Sequence, residues 1–339
     1  MRKLASIRRI VDLQPIPGAD AIETATVDGW KVVVKKNEYR VGDLAVYLEV
    51  DSWVPTELAP FLTKGKEPRE FNGVKGERLR TVKLRKQISQ GLLLPLEPTC
   101  SMIESELFEG LDVSHPLNIQ KWEMAIPAQL AGMTKGPFPT QIPKTDQERV
   151  QNLVNEIAEA AESGLKFELT EKLEGSSMTV YRIQGEFGVC SRNLDLKETD
   201  SNTFWQVARE EGINEKMMAV DEHWDFAIQG ELIGPGIQGN IYGLNKPEFH
   251  VYDVYNIQTG EYLKPEARRD LIARMGLKHV PVICPDKDLG TGSVADIIEW
   301  ADDKSRLNTK QDREGIVFKQ VDGDMTFKAI SNRYLLTSE

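Results

Sequence analysis

The sequence has few of the residues that build disulfide frameworks or zinc sites. Its three cysteines are far apart and odd in number, and its four histidines are scattered along the 339 residues. A disulfide-stapled fold and a cysteine–histidine metal site are therefore not expected. No stretch approaches the ~18 consecutive apolar residues of a membrane span, and the basic first residues lack the apolar segment of a secretory signal. We expect a cytoplasmic protein without a membrane partner.

Positive charge is also scarce, because the formal net charge is −11. An acidic protein does not bind nucleic acid through its global field, so any such contact has to be a local patch. Residues 1–100 nevertheless contain 17 Lys and Arg against 13 Asp and Glu. The densest cluster consists of Lys75, Arg78, Arg80, Lys83, Arg85 and Lys86. This cluster is either a solvated strand face or a groove that contacts a nucleic-acid backbone.

The first 110 residues contain short alternating runs separated by turn residues, which is typical of strands. Asp28-Gly29 lies between two such runs and predicts a hairpin, and residues 79–85 predict a further strand. Five or six strands in about 100 residues indicate a small closed barrel, most commonly the oligonucleotide-binding (OB) fold. Four aromatic residues are either stacking platforms for bases or, as we favour, core packing: Trp30, Tyr39, Tyr47 and Trp53.

Residues 111–145 are rich in proline and predict a linker without regular structure. The stretch 145–148 fits a capping box and predicts a helix that runs from there to Gly164. Lys144 and Arg149 lie near the start of this helix. They could either contact a polyphosphate or be ordinary charges of a capping region.

Residues 146–339 contain short motifs whose order is more informative than any one of them. A strand at 165–169 precedes the first motif and a strand at 178–183 follows it. The motifs are Lys172-Leu173-Glu174-Gly175, Ser191-Arg192-Asn193, Gln229–Asn240, Phe249–Val254, Glu314–Lys319 and Phe327–Ser331. Most lie on alternating runs, so their side chains are expected to line one cleft. Gly175, which has no Cβ, would let the backbone approach a ligand closely. Helices are predicted at 265–275 and 294–308.

In this order and spacing, the motifs resemble those of the covalent nucleotidyltransferases, which include ATP-dependent ligases and mRNA capping enzymes. Within that superfamily the sequence resembles RNA ligases of the Deinococcus/Naegleria type over essentially its whole length. The resemblance implies an α+β chain with an OB-fold β-barrel at 1–110 and a proline-rich linker at 111–145. A nucleotidyltransferase (ATP-grasp-like ligase) domain of antiparallel sheets flanked by helices would follow at 146–339.

The resemblance also implies a chemistry that explains these residue types. An amine attacks the α-phosphorus of ATP only when it is neutral, and an unperturbed lysine has a pKa of about 10.4. A nearby divalent cation favours the neutral amine and offsets charge on the phosphates. Magnesium prefers oxygen ligands and usually keeps several waters. ATP and Mg²⁺ or Mn²⁺ are therefore the implied cofactors.

The implied site residues divide by role. Those implied for catalysis are Lys172 as the nucleophile, with Lys319 and Lys328 as cations for the α-phosphate and the departing pyrophosphate. Those implied for the metal are Glu174 and Glu314. Those implied for ATP are Glu171 at the purine edge, Tyr252 stacked on adenine, Arg192 and Glu231 at the ribose and its phosphate, Ser177 near the ribose, and Lys144 and Arg149 at the polyphosphate.

Three positions depart from the family pattern. Glu174 stands where many ligases have aspartate, so its longer side chain could reach the metal differently. Lys328 is the only lysine of its motif, where relatives have two. Ser177 stands where some relatives have asparagine. More ordinary interpretations also remain: Glu231 and Glu314 on a solvated strand face, Tyr252 in the core, and Lys319 directed to solvent.

The leading hypothesis is a monomeric ATP-dependent RNA ligase that seals 3′-hydroxyl and 5′-phosphate ends through a lysyl–AMP and an adenylylated 5′ end, in RNA repair. Its RNA partner would be a nicked duplex or a broken strand. The N-terminal position of the barrel favours this hypothesis, because DNA ligases and capping enzymes usually have the barrel after the last motif. A capping-type guanylyltransferase, a DNA ligase and a non-catalytic RNA- or tRNA-binding protein remain alternatives.

Overall fold

The structure is a computed structural model that describes residues 3–101, 103, 106–123 and 132–338. The chain divides into two compact units. The first comprises Met1–Ala125, Val150–Asn155 and Leu335–Glu339, and the second comprises Ile126–Arg149 and Glu156–Tyr334. The prediction that residues 111–145 lack regular structure is wrong in part, because short strands form at Gln120–Lys121 and Thr134–Pro137 and pair with other strands. Residues 124–131 of this range lie outside the described residues, and the domain limits at 110 and 146 stay predictions. No helix in the described ranges is long and apolar enough to cross a membrane.

The first unit is built from short strands, as the alternating sequence predicts. The strands are β1 Ala5–Arg9, β2 Asp12–Pro15, β3 Ile22–Val27, β4 Trp30–Lys35, β5 Leu44–Leu48, β6 Ser52–Pro55, β7 Arg69–Phe71, β8 Val74–Arg78, β9 Val82–Leu84, β10 Gln87–Ser89, β11 Leu92–Pro95 and β12 Gln120–Lys121. A 3₁₀ turn at Pro60–Thr63 and a short helix α1 at Leu96–Thr99 connect them. They form antiparallel sheets in the orders β1-β5-β11, β2-β3-β4 and β12-β6-β8-β7, plus the pair β9-β10.

The four aromatic residues considered as base platforms belong to the interior of this unit. Trp30, Tyr39, Tyr47 and Trp53 are all buried. The rings of Trp30 and Tyr47 lie 5.7 Å apart, and Trp53 Nε1 donates to the carbonyl oxygen of Val74 at 3.0 Å. A buried ring with a satisfied polar atom is packing rather than a platform. The core interpretation is therefore confirmed.

The strand predicted at 79–85 is wrong in its extent. β8 ends at Arg78, and the chain then enters β9, turns at Arg85 and Lys86, and returns along β10. Both turn residues have positive φ, 48° and 70°. A two-residue turn with φ > 0 at both positions joins two antiparallel strands tightly. The basic cluster therefore contains a hairpin.

The rest of the chain contains two larger sheets and most of the helices. The strands are β13 Thr134–Pro137, β14 Glu148–Arg149, β15 Lys166–Lys172, β16 Ser176–Ile183, β17 Glu186–Cys190, β18 Leu194–Leu196, β19 Phe226–Ile233, β20 Glu248–Asn256, β21 Glu261–Tyr262, β22 Lys278–His279, β23 Val282–Asp288, β24 Gly315–Gln320 and β25 Thr326–Ile330. The helices are α2 Val154–Glu162, α3 Thr203–Glu210, α4 Ile213–Val220, α5 Pro265–Arg274, α6 Val294–Ala301 and α7 Asn332–Ser338, with a 3₁₀ turn at Val150–Asn152.

The two sheets of the second unit are antiparallel except at two short strands. One has the order β13-β18-β17-β16-β19-β20-β21, with β22 parallel to β20, and the other has the order β14-β25-β24-β15-β23, with β14 parallel to β25. A large apolar core packs α3, α4 and α5 against the first sheet. The first-motif strand β15 and the later-motif strands β24 and β25 are neighbours in the second sheet.

Two helix predictions need correction. The helix predicted from residue 145 begins only at Val154, because Glu148 and Arg149 are extended and pair with Phe327 and Lys328 of β25. The helix predicted at 294–308 ends at Ala301, and an irregular segment follows to β24. That segment brings the backbone N–H of Arg306 to Glu171, 135 residues earlier in the chain.

Candidate active site

The structure brings the first motif and the Glu314–Lys319 motif together through strand pairing. Lys172 ends β15 and lies opposite Gly315, the first residue of β24. Lys172 Nζ therefore reaches Glu314, and its distance to Glu314 Oε1 is 2.5 Å. The lysine is only partly buried, so a ligand can reach its amine. Two motifs separated by 142 residues thus form one ion pair.

Gly175 serves a close approach between strands rather than contact with a ligand. A Cβ at this position would lie 2.4 Å from the carbonyl oxygen of Leu232 and 2.7 Å from Ile233 Cγ2. Any other residue would push β19 away from the first motif. The expectation that this glycine admits a ligand is not needed to explain it.

We expect Gly175→Ala to lower the free energy of unfolding by about 1–3 kcal/mol, the usual cost of overpacking. It should also slow any reaction at Lys172, because the first motif and β19 would separate. Gly136→Ala is the matched control, since a Cβ there meets nothing within 4 Å. Thermal unfolding of both variants tests the prediction, and equal losses for the two would contradict it.

Three carboxylates surround the Lys172 amine. Glu174 follows it in the first motif, Glu314 pairs with it, and Glu231 lies on β19 of the other sheet, which pairs with β16. Burial raises the pKa of Glu231 to about 8, and the charge of Glu314 adds to this while Lys172 and Arg192 oppose it. Burial likewise raises the pKa of Glu174, with a contribution from Glu314. The interpretation of Glu231 and Glu314 as members of a solvated face does not fit this electrostatic coupling.

The carboxylates near Lys172 offer oxygen ligands for a divalent cation, but they are too few to complete its coordination shell. Glu174 Oε2 is buried and has no hydrogen-bond partner, which is costly unless a cation or donor binds it. Within the described ranges, however, no three His, Cys, Asp or Glu side chains are grouped closely enough to hold a metal by themselves. Magnesium usually takes one or two carboxylates and completes its shell with phosphates and waters. The residues fit a cation that is shared with a nucleotide.

Lys319 is buried and already has two acceptors. Its Nζ donates to Asp253 Oδ1 at 2.5 Å and to the carbonyl oxygen of Tyr252 at 2.6 Å. Burial lowers its pKa to about 8, although the Asp253 carboxylate opposes the shift. The interpretation that Lys319 points to solvent is therefore wrong. Sequence reasoning missed Asp253 as its partner, although Asp253 lies within the Phe249–Val254 motif.

The hydroxyl of Tyr252 is fixed by two other hydroxyls. It lies 2.9 Å from Thr145 Oγ1 and 3.3 Å from Ser177 Oγ. Ser177 is directly opposite Glu231 in the β16–β19 pair, so Tyr252 lies near the three carboxylates around Lys172. The ring of Tyr252 also lies under the Lys319 amine, 5.6 Å from its centroid. Sequence reasoning missed Thr145, because that residue fitted a helix cap.

Glu171 is the most buried of the predicted nucleotide contacts. Its Oε2 accepts the backbone N–H of Arg306 at 2.7 Å, whereas its Oε1 is buried without a hydrogen-bond partner. Burial raises its pKa, and neighbouring donors oppose the shift only in part. An acceptor left open beside the nucleophile can receive one N–H donor from a ligand.

The remaining predicted residues form two groups. In the first, Arg192 Nη2 donates to both oxygens of Asp146 at 2.9 and 3.0 Å, and Lys144 Nζ donates to Asn193 Oδ1 at 2.8 Å. Arg192 is close enough to Glu231 for its charge to oppose, in part, the rise in the pKa of that carboxyl. In the second group, Arg149 lies beside Lys328 in the parallel β14–β25 pair. The structure thus places both sets of cations on strands or loops of the same unit.

Comparison with known proteins gives a consistent result. A family model described as an OB-fold domain matches residues 4–96, and one described as RNA ligase matches residues 165–330. The first match confirms the barrel predicted for the N-terminal region. No characterised protein in a curated sequence set matched the chain.

Solved structures match over nearly the full length. A glutamate-to-alanine variant of Naegleria gruberi RNA ligase with AMP and Mn is 44% identical, with a TM-score of 0.91 and 98% of each chain covered. A lysine-to-alanine variant of the same ligase with ATP and Mn has 44% identity, a TM-score of 0.90 and the same coverage. That ligase with pyrophosphate also has 44% identity and a TM-score of 0.90, over 99% of this chain and 98% of the other. The α+β fold predicted from the sequence is therefore confirmed.

Proposed function

Since this chain belongs to the RNA ligase family, we propose that it uses ATP to join RNA 3′-hydroxyl and 5′-phosphate ends through a covalent lysyl–AMP on Lys172. The observation that carries the proposal is the Lys172–Glu314 pair at 2.5 Å inside a group of three carboxylates. The matching structures of the Naegleria ligase are complexes with AMP and Mn, with ATP and Mn, and with pyrophosphate, which supports the same choice of substrate and metal.

In the first step the Lys172 amine attacks the α-phosphorus of ATP. A P–N bond forms, the bond from the α-phosphorus to the bridging oxygen breaks, and pyrophosphate leaves with that electron pair. The amine must lose a proton for this attack. Glu314 is placed to accept that proton, because its Oε1 is already the hydrogen-bond partner of Nζ. Lys319 and Lys328 supply positive charge for the phosphates.

In the later steps the AMP moves to RNA. An oxygen of the 5′-phosphate attacks the adenylyl phosphorus, the P–N bond breaks, and Lys172 regains a proton. The RNA 3′-hydroxyl then attacks the phosphorus of the adenylylated end, and AMP leaves as the phosphodiester forms. Lysine is thus regenerated, and one ATP yields one AMP and one pyrophosphate for each bond.

Glu174 and Glu314 would hold the divalent cation together with the nucleotide phosphates, and Glu231 would contact the ribose. When bound, Mg²⁺ or Mn²⁺ supplies charge against the negative charge on the phosphates and favours the neutral form of the lysine. The buried, unpaired Glu174 Oε2 is the atom that most needs this cation. The extra methylene of Glu174 relative to aspartate places its carboxylate further from the backbone of the first motif.

The purine is distinguished by Glu171. Its open Oε1 suits the exocyclic amino group of adenine, whereas guanine presents an acceptor oxygen at the equivalent position. Tyr252, fixed by Thr145 and Ser177, offers a ring for the base. Arg192 would exchange Asp146 for the ribose and its phosphate. Lys144 and Arg149 would contact the outer phosphates.

The test is covalent labelling followed by sealing. Incubation with α-labelled ATP and Mn²⁺ should label the protein, and α-labelled GTP or removal of the metal by EDTA should not. A capping-type activity would instead take label from GTP. Nicked duplexes with ribose or deoxyribose on each side of the break would then separate RNA joining from DNA joining. Absence of any ATP label with metal present would contradict the proposal.

A role in RNA repair in the cytoplasm, as a monomer on nicked or broken RNA, is the biological setting that we propose.

Neutralising one metal-side carboxylate should slow labelling strongly. We expect Glu174→Gln and Glu314→Gln each to lower the rate of self-adenylylation at limiting Mn²⁺ by about 10- to 100-fold. A higher Mn²⁺ concentration should partly restore Glu174→Gln, because the amide still offers one oxygen ligand. Glu299→Gln, an exposed residue of α6, is the control and should not alter the metal dependence. The contrary result would be an unchanged Mn²⁺ requirement in both site variants.

A further inference from the structure

We propose that the hairpin of β9 and β10, here called the ribbon (Val82–Ser89), binds the sugar–phosphate backbone of the RNA substrate. The inference rests on the proposed function and adds a surface of the first unit that the nucleotide chemistry does not use. Neither the motifs nor the carboxylate group involves any residue of the ribbon.

The first strand of the ribbon, β9, and the turn at its tip are continuously exposed to solvent. Residues 82–86 are all exposed to solvent, including Val82 and Leu84, each 42% exposed. The two apolar side chains are two positions apart on a strand, so they lie on one face. Exposed apolar side chains next to cations are typical of a surface that receives a partner with both apolar and anionic parts.

The cations of the ribbon have no acidic partner in the part of the chain that the structure describes. Lys83, Arg85 and Lys86 have no ion pair or side-chain hydrogen bond with any residue that the structure describes. Arg78, outside the ribbon, differs because it pairs with Asp51 at 2.6 Å and lies 4.0 Å from the Trp122 ring centroid. On a protein of net charge −11, these three exposed positive charges form a local patch that can attract an anionic partner.

The backbone of the ribbon's turn has a conformation that asparagine and glycine adopt more readily than arginine and lysine. Arg85 and Lys86 both have left-handed φ values, 48° and 70°. Asn-Gly is the sequence that fits such a turn best, because glycine adopts positive φ without steric cost. A sequence that keeps two cations where local structure favours Asn-Gly points to a functional reason for the charge.

RNA supplies the matching chemistry. Its phosphates would pair with Arg85 and Lys86 at the tip and with Lys83 on the opposite face of β9, and the carbon face of its riboses would contact Val82 and Leu84. A-form duplexes present sugars and phosphates along a wide, shallow minor groove, which a two-stranded ribbon can approach. Contacts of this kind give affinity without sequence preference.

The decisive experiment is a charge-free ribbon with a better turn. In the triple variant Lys83→Gln/Arg85→Asn/Lys86→Gly the three charges are removed and the turn receives its preferred residues. We expect its melting temperature to stay equal or rise, and its Kd for a nicked RNA duplex at low salt to rise on the order of tenfold. The slope of log Kd against log salt should fall by about 2 to 3, since each phosphate contact contributes ~0.7–0.9. Self-adenylylation with ATP should remain within twofold of the parent.

Two comparisons make the result specific. Lys36→Gln/Arg40→Gln/Lys66→Gln removes three other exposed charges from the same unit and should leave the salt slope nearly unchanged. Val82→Thr/Leu84→Thr should weaken binding without changing the slope, because it removes only apolar contact. The inference would be overturned if the charge-free variant bound both nicked duplex and single-stranded RNA with the same Kd as the parent. It would also be overturned if the control triple variant lost as much affinity as the charge-free variant. Failure of the proposed function would show separately, as an absence of ATP label in the parent protein.

Discussion

Replacing Lys172 by arginine is expected to abolish covalent labelling by α-labelled ATP, a loss of more than about a thousandfold. Arginine keeps the positive charge and can still pair with Glu314. It does not supply a neutral nucleophile, because a guanidinium stays protonated under all ordinary conditions. The loss would therefore measure nucleophilic chemistry rather than charge. Labelled protein is detected after denaturing electrophoresis, where only a covalent adduct survives.

The same variant should separate the steps of the reaction. Once the 5′ end has been adenylylated chemically, the final attack by the 3′-hydroxyl needs no lysine nucleophile. Lys172→Arg is therefore expected to seal a pre-adenylylated nick at a rate close to that of the parent. Its rate of sealing from ATP and an unmodified nick should be far below that of the parent. Lys166→Arg, at the exposed first position of β15, is the control and should label normally. Covalent label in Lys172→Arg at the parental level would remove Lys172 as the nucleophile.

The chemistry of the site could be predicted further than its architecture. The order of the motifs predicted Lys172 as the nucleophile and Glu314 as a metal-side carboxylate of the same cleft. Their direct ion pair was not predicted, and it follows from strand pairing, since β15 and β24 are neighbours in register. Period-two alternation also predicts β15 and β16 closely. The roles given to individual residues stay proposals, although the structure places them in one unit.

Contacts between distant segments could not be predicted. The pairing of Arg149 with Lys328 depends on a two-residue parallel strand, too short to leave a periodic pattern in the sequence. Thr145 fitted a helix cap, yet its hydroxyl contacts Tyr252, and residues 143–147 are irregular rather than helical. Asp253 lay within a recognised motif, but nothing in one sequence indicated that its carboxylate would hold Lys319. In each case tertiary packing decided between local alternatives of similar free energy.

The buried charges behind Lys319 form a network that extends beyond the motifs. Arg268 on α5 and Glu168 on β15 both have side chains with 0% exposure, and they are directly paired. Arg268 Nε donates to His279 Nε2 at 3.1 Å, and Arg268 Nη1 lies 3.7 Å from Asp253 Oδ1. Burial alone would raise the pKa of Glu168, but Arg268 and Arg269 together outweigh it and lower that pKa. Glu168 is therefore a charged group that depends on its arginines.

Removal of Arg268 should strongly destabilise the second unit. Arg268→Met leaves the buried carboxylate of Glu168 with only Arg269, and we expect the free energy of unfolding to fall by about 3–5 kcal/mol. Arg269 is 30% exposed, so Arg269→Ala should cost only about 1 kcal/mol although it also pairs with Glu168. Denaturant unfolding of the two variants provides the measurement, and equal costs would show that burial does not determine the strength of these pairs.

The double variant Glu168→Gln/Arg268→Met decides whether the cost comes from an unpaired charge or from lost packing. If the charge is the cause, neutralising Glu168 should recover most of the stability that Arg268→Met loses, because no ionised group then remains buried alone. If packing is the cause, the double variant should be as unstable as the single one. Asp253 adds a functional consequence, because it is shared by Arg268 and Lys319. Without Arg268, Asp253 has Lys319 as its remaining cationic partner, so self-adenylylation should slow even in the stabilised double variant.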